Sequence, residues 1–387
     1  LAAPAMAQGV KIGILNDQSG VYADYGGKYS VEAARMAIED FGGEVLGQKI
    51  EMITADHQNK PDLATSIARR WYDADGVDMI TELTTSSVAL AVQELSKEKK
   101  KVDIVVGAAT SAITGAACTP YGFHWAFDTH ALAVGTGGAL VKAGGDSWFF
   151  LTADYAFGYA LEKDTSEIVT AAGGKVLGSV RVPLNSSDFS SFLLQAQSSK
   201  AKVIGLANAG QDTTNSIKQA AEFGIVKGGQ KLAALLLFLT DVKAIGLETA
   251  QGLNFTETFY WDLNDNTRAF SKRFSEKLKS GAPPTMVQAG VYSSLIHYFK
   301  ALEALGGNPH DGAKVVAKMK TIPTDDPLFG KGEVEANGRV THDAYLFEVK
   351  KPSESKGPWD FYKLVGTVPG NQAFTPLDKS TCALLKK

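Results

Sequence analysis

The sequence is poor in the residues that carry metal, redox or nucleic-acid chemistry. Among 387 residues there are two cysteines and six histidines, and the formal net charge is -3. The histidines do not pair with a cysteine or with one another at the spacing of metal ligands, so we expect no metal site and no cofactor. The longest basic run, Lys99 to Lys101, is too short to indicate nucleic-acid binding.

Long apolar runs and catalytic motifs are also missing. No stretch reaches the roughly 18 apolar residues that a membrane-spanning helix requires. The sequence contains no Walker loop, G-x-S-x-G elbow, H-E-x-x-H helix or complete EF-hand loop. No nucleophile or acid/base pair emerges either, so the sequence nominates no enzymatic activity.

Two features indicate export to an oxidising compartment. Residues 1–7 are small and apolar and end in Ala5-Met6-Ala7, the pattern of a signal-peptidase site. We interpret them as a signal-peptide remnant, with the mature chain starting at Gln8; an accidental alanine-rich start is the alternative. Cys118 and Cys382 are compatible with one disulfide, although two unpaired buried thiols would fit the sequence as well.

The hydrophobic pattern predicts an α/β protein with more than one domain. A chain of 387 residues exceeds the usual size of a single core. Strand-like and helical apolar patterns alternate from Val10, and a second series begins near Trp148, which favours parallel sheets flanked by helices. An isolated strand is predicted around Gly252 to Thr258, and the β pattern returns late, at Gly332 to Glu335 and at Tyr345 to Val349.

Two segments place small hydroxyl residues where a predicted strand passes into a helix. Thr84-Thr85-Ser86-Ser87 follows the strand Val77 to Leu83, and Gly107 to Ser111 follows the strand Val102 to Val106. The carboxyl ends of neighbouring parallel strands open into one crevice, where hydroxyls and helix N-termini can hold an anion. Serine and threonine are also ordinary helix caps. One segment alone indicates a cap, whereas two in succession favour a binding site.

These clusters, the loop from Gln18 to Gly26 and the segment Thr152 to Gly158 together resemble a known family. The chain is similar to periplasmic solute-binding proteins of the leucine/isoleucine/valine-binding type, the receptors of ABC importers, from Val10 to its C terminus. The resemblance implies two parallel-sheet lobes joined by three hinge crossovers, which trap a ligand as they close. It also implies a periplasmic monomer that delivers its ligand to a membrane permease.

The resemblance divides the chain between the two lobes. Lobe 1 is expected to comprise residues 8–125 and 254–330, and lobe 2 residues 126–253 and 331–387. The crossovers are expected near Phe123 to Asp128, Leu253 to Thr256 and Phe329 to Gly332. Both hydroxyl clusters then belong to lobe 1.

The resemblance also implies which residues touch the ligand. The candidates for holding a ligand carboxylate, all in lobe 1, are Thr85, Ser86, Ser87, Ala108, Ala109 and Thr110. The other candidates are Tyr25, which shields the ligand from lobe 1, and Tyr155, Phe157, Asn208 and Phe238 from lobe 2.

The sequence departs from the family pattern at the position that recognises an amino group. Members that bind amino acids present an acid near the end of the strand predicted at Lys231 to Phe238, but here Leu235 to Leu237 are apolar. A buried ammonium without a counter-charge costs several kcal/mol. The nearest acids, Asp212 and Asp241, suit helix N-caps. We therefore expect a carboxylate ligand with an apolar, aromatic body; a branched-chain amino acid or keto acid is the alternative.

The sequence leaves three classes of function open, in a definite order. A transport receptor that closes by hinge motion is the first. A ligand sensor on the same fold is the second, because periplasmic sensors are exported too. An enzyme is the third, and nothing in the sequence nominates its catalytic residues.

Overall fold

The computed structural model describes residues 9–385. The predicted signal-peptide remnant, residues 1–7, lies outside the described residues. Most of the first part of the chain forms one sheet, whose strands are β1 (Val10–Asn16), β2 (Glu44–Val45), β3 (Gln48–Asp56), β4 (Met79–Glu82), β5 (Val102–Val105) and β6 (Gly122–His124). Their order is β2-β3-β1-β4-β5-β6, and the pairings from β3 to β6 are parallel.

The second sheet begins with the next strands of the chain and ends with the last ones. The remaining strands are β7 (Ser147–Ala153), β8 (Lys175–Val182), β9 (Val203–Ala207), β10 (Lys231–Ala234), β11 (Asn254–Glu257), β12 (Thr324–Asp326), β13 (Gly330–Val334), β14 (Val340–Thr341), β15 (Ala344–Val349) and β16 (Tyr362–Val368). The second sheet has the order β16-β15-β11-β10-β9-β7-β8, in which β15 and β16 pair antiparallel. Strands β12 to β14 form a small separate sheet.

Helices cover the two large sheets, as the alternating pattern predicts. They are α1 (Gly27–Asp40), α2 (Pro61–Asp73), α3 (Ser86–Lys99), α4 (Thr129–Leu132), α5 (Gly138–Lys142), α6 (Ala156–Ala171), α7 (Ser190–Ser198), α8 (Gly210–Glu222), α9 (Leu239–Ile245), α10 (Leu247–Ala250), α11 (Asp265–Glu276), α12 (Met286–Leu305), α13 (Gly312–Thr321) and α14 (Gly370–Ala373). Across residues 9–385, no helix is both long and apolar enough to cross a membrane. The predicted fold class, two parallel-sheet α/β lobes, is confirmed.

The long helix α12 shows how local sequence places an element. Thr285 ends the proline-containing break before it and accepts a hydrogen bond from the Gln288 N–H, while the Gln288 side chain accepts one from the Thr285 N–H at 2.9 Å. This reciprocal pair caps the helix start. The Thr285 hydroxyl also donates to the carbonyl of Tyr25 at 2.6 Å, so α12 anchors the loop after β1.

The structure moves two of the predicted lobe boundaries. Strand β11 pairs with β10 and β15, so residues 254–257 belong to the second sheet, and the second crossover follows them. Strand β13 pairs with β12 and β14, and Arg339 forms a bridge with His124 beside β6. The third crossover therefore comes after Thr341 rather than at Phe329 to Gly332. The strands at these crossovers are short and contain few apolar residues, so the sequence pattern could not locate the crossovers.

A buried arginine joins the first and third crossovers. The Arg339 guanidinium donates to the carbonyls of Trp125 and Phe127 and lies 3.4 Å from a carboxylate oxygen of Asp128. It is 1% exposed, so its charge depends on these partners. The strands that connect the lobes are thereby held to one another.

Cys118 and Cys382 form a disulfide, with their Cα atoms 5.6 Å apart. The bond ties the C-terminal tail to the loop before β6. The open alternative of two free thiols is therefore not realised.

Candidate functional site

A cavity lies between the two lobes, at the carboxyl ends of strands from both large sheets. Its wall is formed by Tyr22, Tyr25, Thr85, Ser86, Gly107, Ala108, Ala109, Tyr155, Phe157, Ala209 and Leu236. The wall residues come from both lobes, so a molecule in the cavity contacts both of them.

The structure brings together most of the residues that the sequence nominated, and not all. The nominated residues in the wall are Tyr25, Thr85, Ser86, Ala108, Ala109, Tyr155 and Phe157. Those that lie outside the wall are Ser87, Thr110, Asn208 and Phe238. The wall residues that were not nominated are Tyr22, Gly107, Ala209 and Leu236. Each of these four lies within three residues of a nominated position, so the nominated segments line the cavity through a partly different set of residues.

The first hydroxyl cluster does not act as an ordinary helix cap. Thr85 precedes α3, but its side chain does not cap that helix; its hydroxyl donates to the Asn59 side chain instead. Glu82, Leu83 and Thr85 all have positive φ, at 76°, 53° and 79°. Such backbone strain in non-glycine residues concentrates at functional sites. The turn leaves the first N–H groups of α3 without a side-chain cap beside the cavity.

The second hydroxyl cluster turns its carbonyls away from the cavity. His124 Nε2 donates to the Ala108 carbonyl and the Thr129 N–H to the Ala109 carbonyl, both at 2.8 Å. Within residues 9–385, the N–H groups of Ala108 and Ala109 have no protein acceptor. The Thr110 hydroxyl does serve as a cap, since it accepts from the Ala112 N–H at 3.3 Å, which explains its absence from the wall.

A buried acid that the sequence pattern did not indicate lies directly behind the loop Gly107 to Ala109. Glu82 is fully buried and accepts a 2.7 Å hydrogen bond from the Thr84 N–H. A Cβ on Gly107 would lie 3.0 Å from both carboxyl oxygens, so only glycine separates Glu82 from the cavity. Burial raises the pKa of Glu82 to about 7. An acid at the end of the apolar strand Val77 to Leu83 was the available sign.

The lobe 2 wall is apolar where an acid would be needed for an amino group. Strand β10 stops at Ala234, four residues earlier than predicted, and the connection to α9 brings Leu236 into the wall. Asp241 accepts from the Phe238 N–H at 2.9 Å from the third position of α9; the N-cap residue itself, the role expected of Asp241, is Phe238. Asp212 accepts from the Asn185 N–H at 3.0 Å. None of the described residues that form the wall carries a carboxylate.

Two nominated residues support the wall from behind. The Phe238 ring stacks on Tyr25, with ring centroids 4.0 Å apart, so Phe238 contacts the shielding tyrosine rather than the cavity. Asn208 accepts from the Thr213 hydroxyl at 2.7 Å and donates to the Ser216 hydroxyl at 3.3 Å. Asn208 therefore holds the start of α8 in place.

The lobes touch along one side of the cavity. The hydroxyls of Tyr22 and Tyr155 lie 2.6 Å apart, and the Gln211 N–H donates to the Val21 carbonyl at 3.3 Å. A Cβ on Gly210 would come within 2.3 Å of the Val21 carbonyl oxygen. These contacts join loops from opposite lobes, so the structure represents a closed arrangement.

A family model described as periplasmic binding protein matches residues 9–357. The chain belongs to the periplasmic binding protein family. This periplasmic binding protein is 26% identical to the Leu/Ile/Val-binding protein homolog 6 of Brucella melitensis, over 91% of this chain and 90% of the relative. The predicted family is therefore confirmed: this is a solute-binding protein of ABC transporters, and its family is extracytoplasmic.

Solved structures from other bacteria share the fold of this periplasmic binding protein. One from Burkholderia mallei, a periplasmic binding protein, is 54% identical with a TM-score of 0.95 and covers 98% of this chain and 100% of its own. A branched chain amino acid ABC transporter periplasmic ligand-binding protein from Burkholderia xenovorans is 43% identical, with a TM-score of 0.87 and coverages of 97% and 100%. A solute binding protein from Rhodopseudomonas palustris in complex with 3,4-dihydroxy benzoic acid is 25% identical, with a TM-score of 0.84 and coverages of 93% and 97%.

Proposed function

We propose that this periplasmic binding protein is the receptor of an ABC importer for a small carboxylate with an apolar, aromatic body and no ammonium group. The observation that carries the proposal is the uncharged lobe 2 wall: Leu236 lines it, in the segment where the resemblance to amino-acid receptors implies an acid. Burying an ammonium there would cost several kcal/mol. The ligand is held between lobes that close by hinge motion, and the closed monomer presents it to a membrane permease.

The carboxylate half of the proposed site is the lobe 1 wall. Ser86 contributes a hydroxyl whose oxygen accepts from the Thr110 N–H and whose proton is free to donate, and Ala108 and Ala109 contribute N–H groups without a protein acceptor. The Thr85 hydroxyl proton is used by the Asn59 side chain, so Thr85 lines the wall without donating to the carboxylate. The positive end of the α3 dipole adds to the attraction for an anion. A carboxylate can be held in this way without an arginine or lysine.

In this proposal, the body of the ligand contacts the apolar and aromatic half of the wall. Tyr25, Phe157 and Leu236 surround the remaining space, and aromatic rings pack well against such side chains. The Rhodopseudomonas palustris relative in complex with 3,4-dihydroxy benzoic acid favours an aromatic acid. The Burkholderia xenovorans relative is named for branched chain amino acids, so these amino acids and the corresponding keto acids are the alternative ligands.

Calorimetric titration with benzoate, leucine and 4-methyl-2-oxopentanoate tests the proposed ligand class. We expect benzoate to bind at least about 100-fold more tightly than leucine, because the wall leaves the leucine ammonium without a counter-charge. The keto acid separates the effect of the amino group from that of the ring. Tight binding of leucine with no binding of benzoate would refute the proposal.

The pH dependence of binding should report on Glu82. A carboxylate bound beyond Gly107 would repel ionised Glu82, so binding favours its protonated form. Because the pKa of Glu82 lies at about 7, affinity should be highest below pH 7 and fall as the pH rises through it, by up to about tenfold per pH unit. His57 lies nearby with a pKa lowered to about 4 by burial, so it stays neutral over this range.

Glu82→Gln should abolish this pH dependence, measured by calorimetry between pH 6 and 9. Asp103→Asn is the matched control, because Asp103 is another buried acid of the same sheet, with a pKa raised to about 8 by burial, and lies outside the cavity wall. That variant should keep the pH profile of the unmodified protein. A profile unchanged by Glu82→Gln would show that the carboxylate binds elsewhere.

A further inference from the structure

Two phenol groups meet at the cavity, one from each lobe. Tyr22 lies in the loop after β1 and Tyr155 immediately before α6, and their hydroxyl oxygens are 2.6 Å apart. Both residues belong to the cavity wall; Tyr22 is 1% exposed, and Tyr155 is partly buried. Since the two side chains come from opposite lobes, the pair exists only when the lobes are closed.

The pair has one more hydroxyl proton than its mutual hydrogen bond uses. Each phenol supplies one O–H donor, and one of the two donors serves the bond between them. No second partner for either hydroxyl is found among residues 9–385. Burial raises the pKa of both phenols, so both keep their protons at neutral pH. A buried O–H without an acceptor is unfavourable.

Nearby protein carboxylates do not supply the missing acceptor. Asp17 accepts from the N–H groups of Gly20 and Tyr22 in the loop after β1 and from the Asn59 side chain in the loop after β3. Asp212 accepts from the Asn185 N–H through one oxygen; its other oxygen has no partner among the described residues and makes no hydrogen bond to either phenol. The other wall residues from lobe 2 are the apolar Phe157, Ala209 and Leu236. In this arrangement the free phenol proton has no acceptor among residues 9–385, and the contents of the cavity can supply one.

We propose that Tyr22 and Tyr155 select ligands that carry an uncharged ring hydroxyl in addition to the carboxylate. This rests on the proposed function, since it assumes an aromatic acid in this cavity. The free phenol O–H donates to the ligand hydroxyl oxygen, and the ligand O–H donates to a phenol oxygen, so each proton has an acceptor. An acid with a methyl group in place of the hydroxyl leaves the phenol proton unpaired.

The experiment compares isosteric pairs of ligands by calorimetric titration: 4-hydroxybenzoate with 4-methylbenzoate, and 3-hydroxybenzoate with 3-methylbenzoate. We expect the hydroxy acid of at least one pair to bind about 10 to 100 times more tightly than its methyl partner. Tyr155→Phe should remove most of that preference, mainly by weakening the hydroxy acid. Tyr22→Phe should do the same, which keeps the test valid if one variant folds poorly.

Tyr159→Phe is the matched control. Its hydroxyl bonds to Asp154 on the protein surface, and its ring is 44% exposed and outside the cavity wall, so the preference should persist. Equal weakening of both members of a pair in Tyr155→Phe would mean that the tyrosines only latch the lobes, and would overturn the inference. No preference in the unmodified protein would overturn it too. Failure of every aromatic acid to bind, with leucine binding, would instead refute the proposed function.

Discussion

Replacing Gly210 with alanine should weaken ligand binding at least about 100-fold by preventing the lobes from closing. The new Cβ would lie 2.3 Å from the Val21 carbonyl oxygen, a backbone atom of the other lobe that cannot rotate away. The lobes must separate to relieve the overlap. Apparent affinity falls in proportion to the population of the closed form, so a closed fraction reduced to about 1% produces this loss. Calorimetric titration with the ligand of highest affinity measures it.

Gly224→Ala controls for the backbone strain of the first substitution. Gly210 and Gly224 have similar positive φ angles, 59° and 65°, but nothing lies within 4 Å of a Cβ built at Gly224. Both variants should lose about 1–2 kcal/mol of unfolding free energy from the left-handed conformation. Only Gly210→Ala should also lose affinity. Full affinity in Gly210→Ala would show that the contact between Val21 and Gly210 is not needed for the bound state.

Removing the disulfide should lower the free energy of unfolding by about 2–5 kcal/mol. Cys118 and Cys382 are 264 residues apart, so the bond restricts the unfolded chain over most of its length. In the folded protein it also holds the C-terminal tail against lobe 1. Urea unfolding of the Cys118→Ser, Cys382→Ser double variant measures the loss.

Ligand affinity should survive the loss of this bond, because neither cysteine belongs to the cavity wall. Unmodified protein treated with dithiothreitol is the matched comparison and should unfold at the same urea concentration as the double variant. A double variant as stable as the oxidised protein would show that the tail is held by its packing alone.

The hydroxyl clusters illustrate how much of the site can be predicted from sequence patterns. Strands followed by Thr84 to Ser87 and by Gly107 to Ser111 located the correct edge of the sheet, because parallel strands all present their carboxyl ends on one side. The pattern did not distinguish Thr110, which caps a short turn, from Ser86, which lies in the wall. That difference depends on backbone direction over one or two residues, which hydrophobic periodicity does not encode.

The acidic residues near the cavity also show which features a sequence pattern can and cannot indicate. The absence of an acid at Leu235 to Leu237 could be recognised because a family pattern specified where one belongs. No family pattern specifies a role for Glu82. Its place behind Gly107 results from a turn with positive φ angles that folds the end of β4 under the neighbouring loop.

The sequence by itself determined the α/β class, the family and the edge of the sheet that faces the cleft, since these follow from local periodicity and short motifs. Only the tertiary structure decided where the second and third crossovers fall, which hydroxyls and N–H groups face the cavity, and that Tyr22 meets Tyr155 and Val21 meets Gly210. The physical reason is that these contacts join segments more than 100 residues apart, and their geometry depends on how two separately folded sheets close on each other.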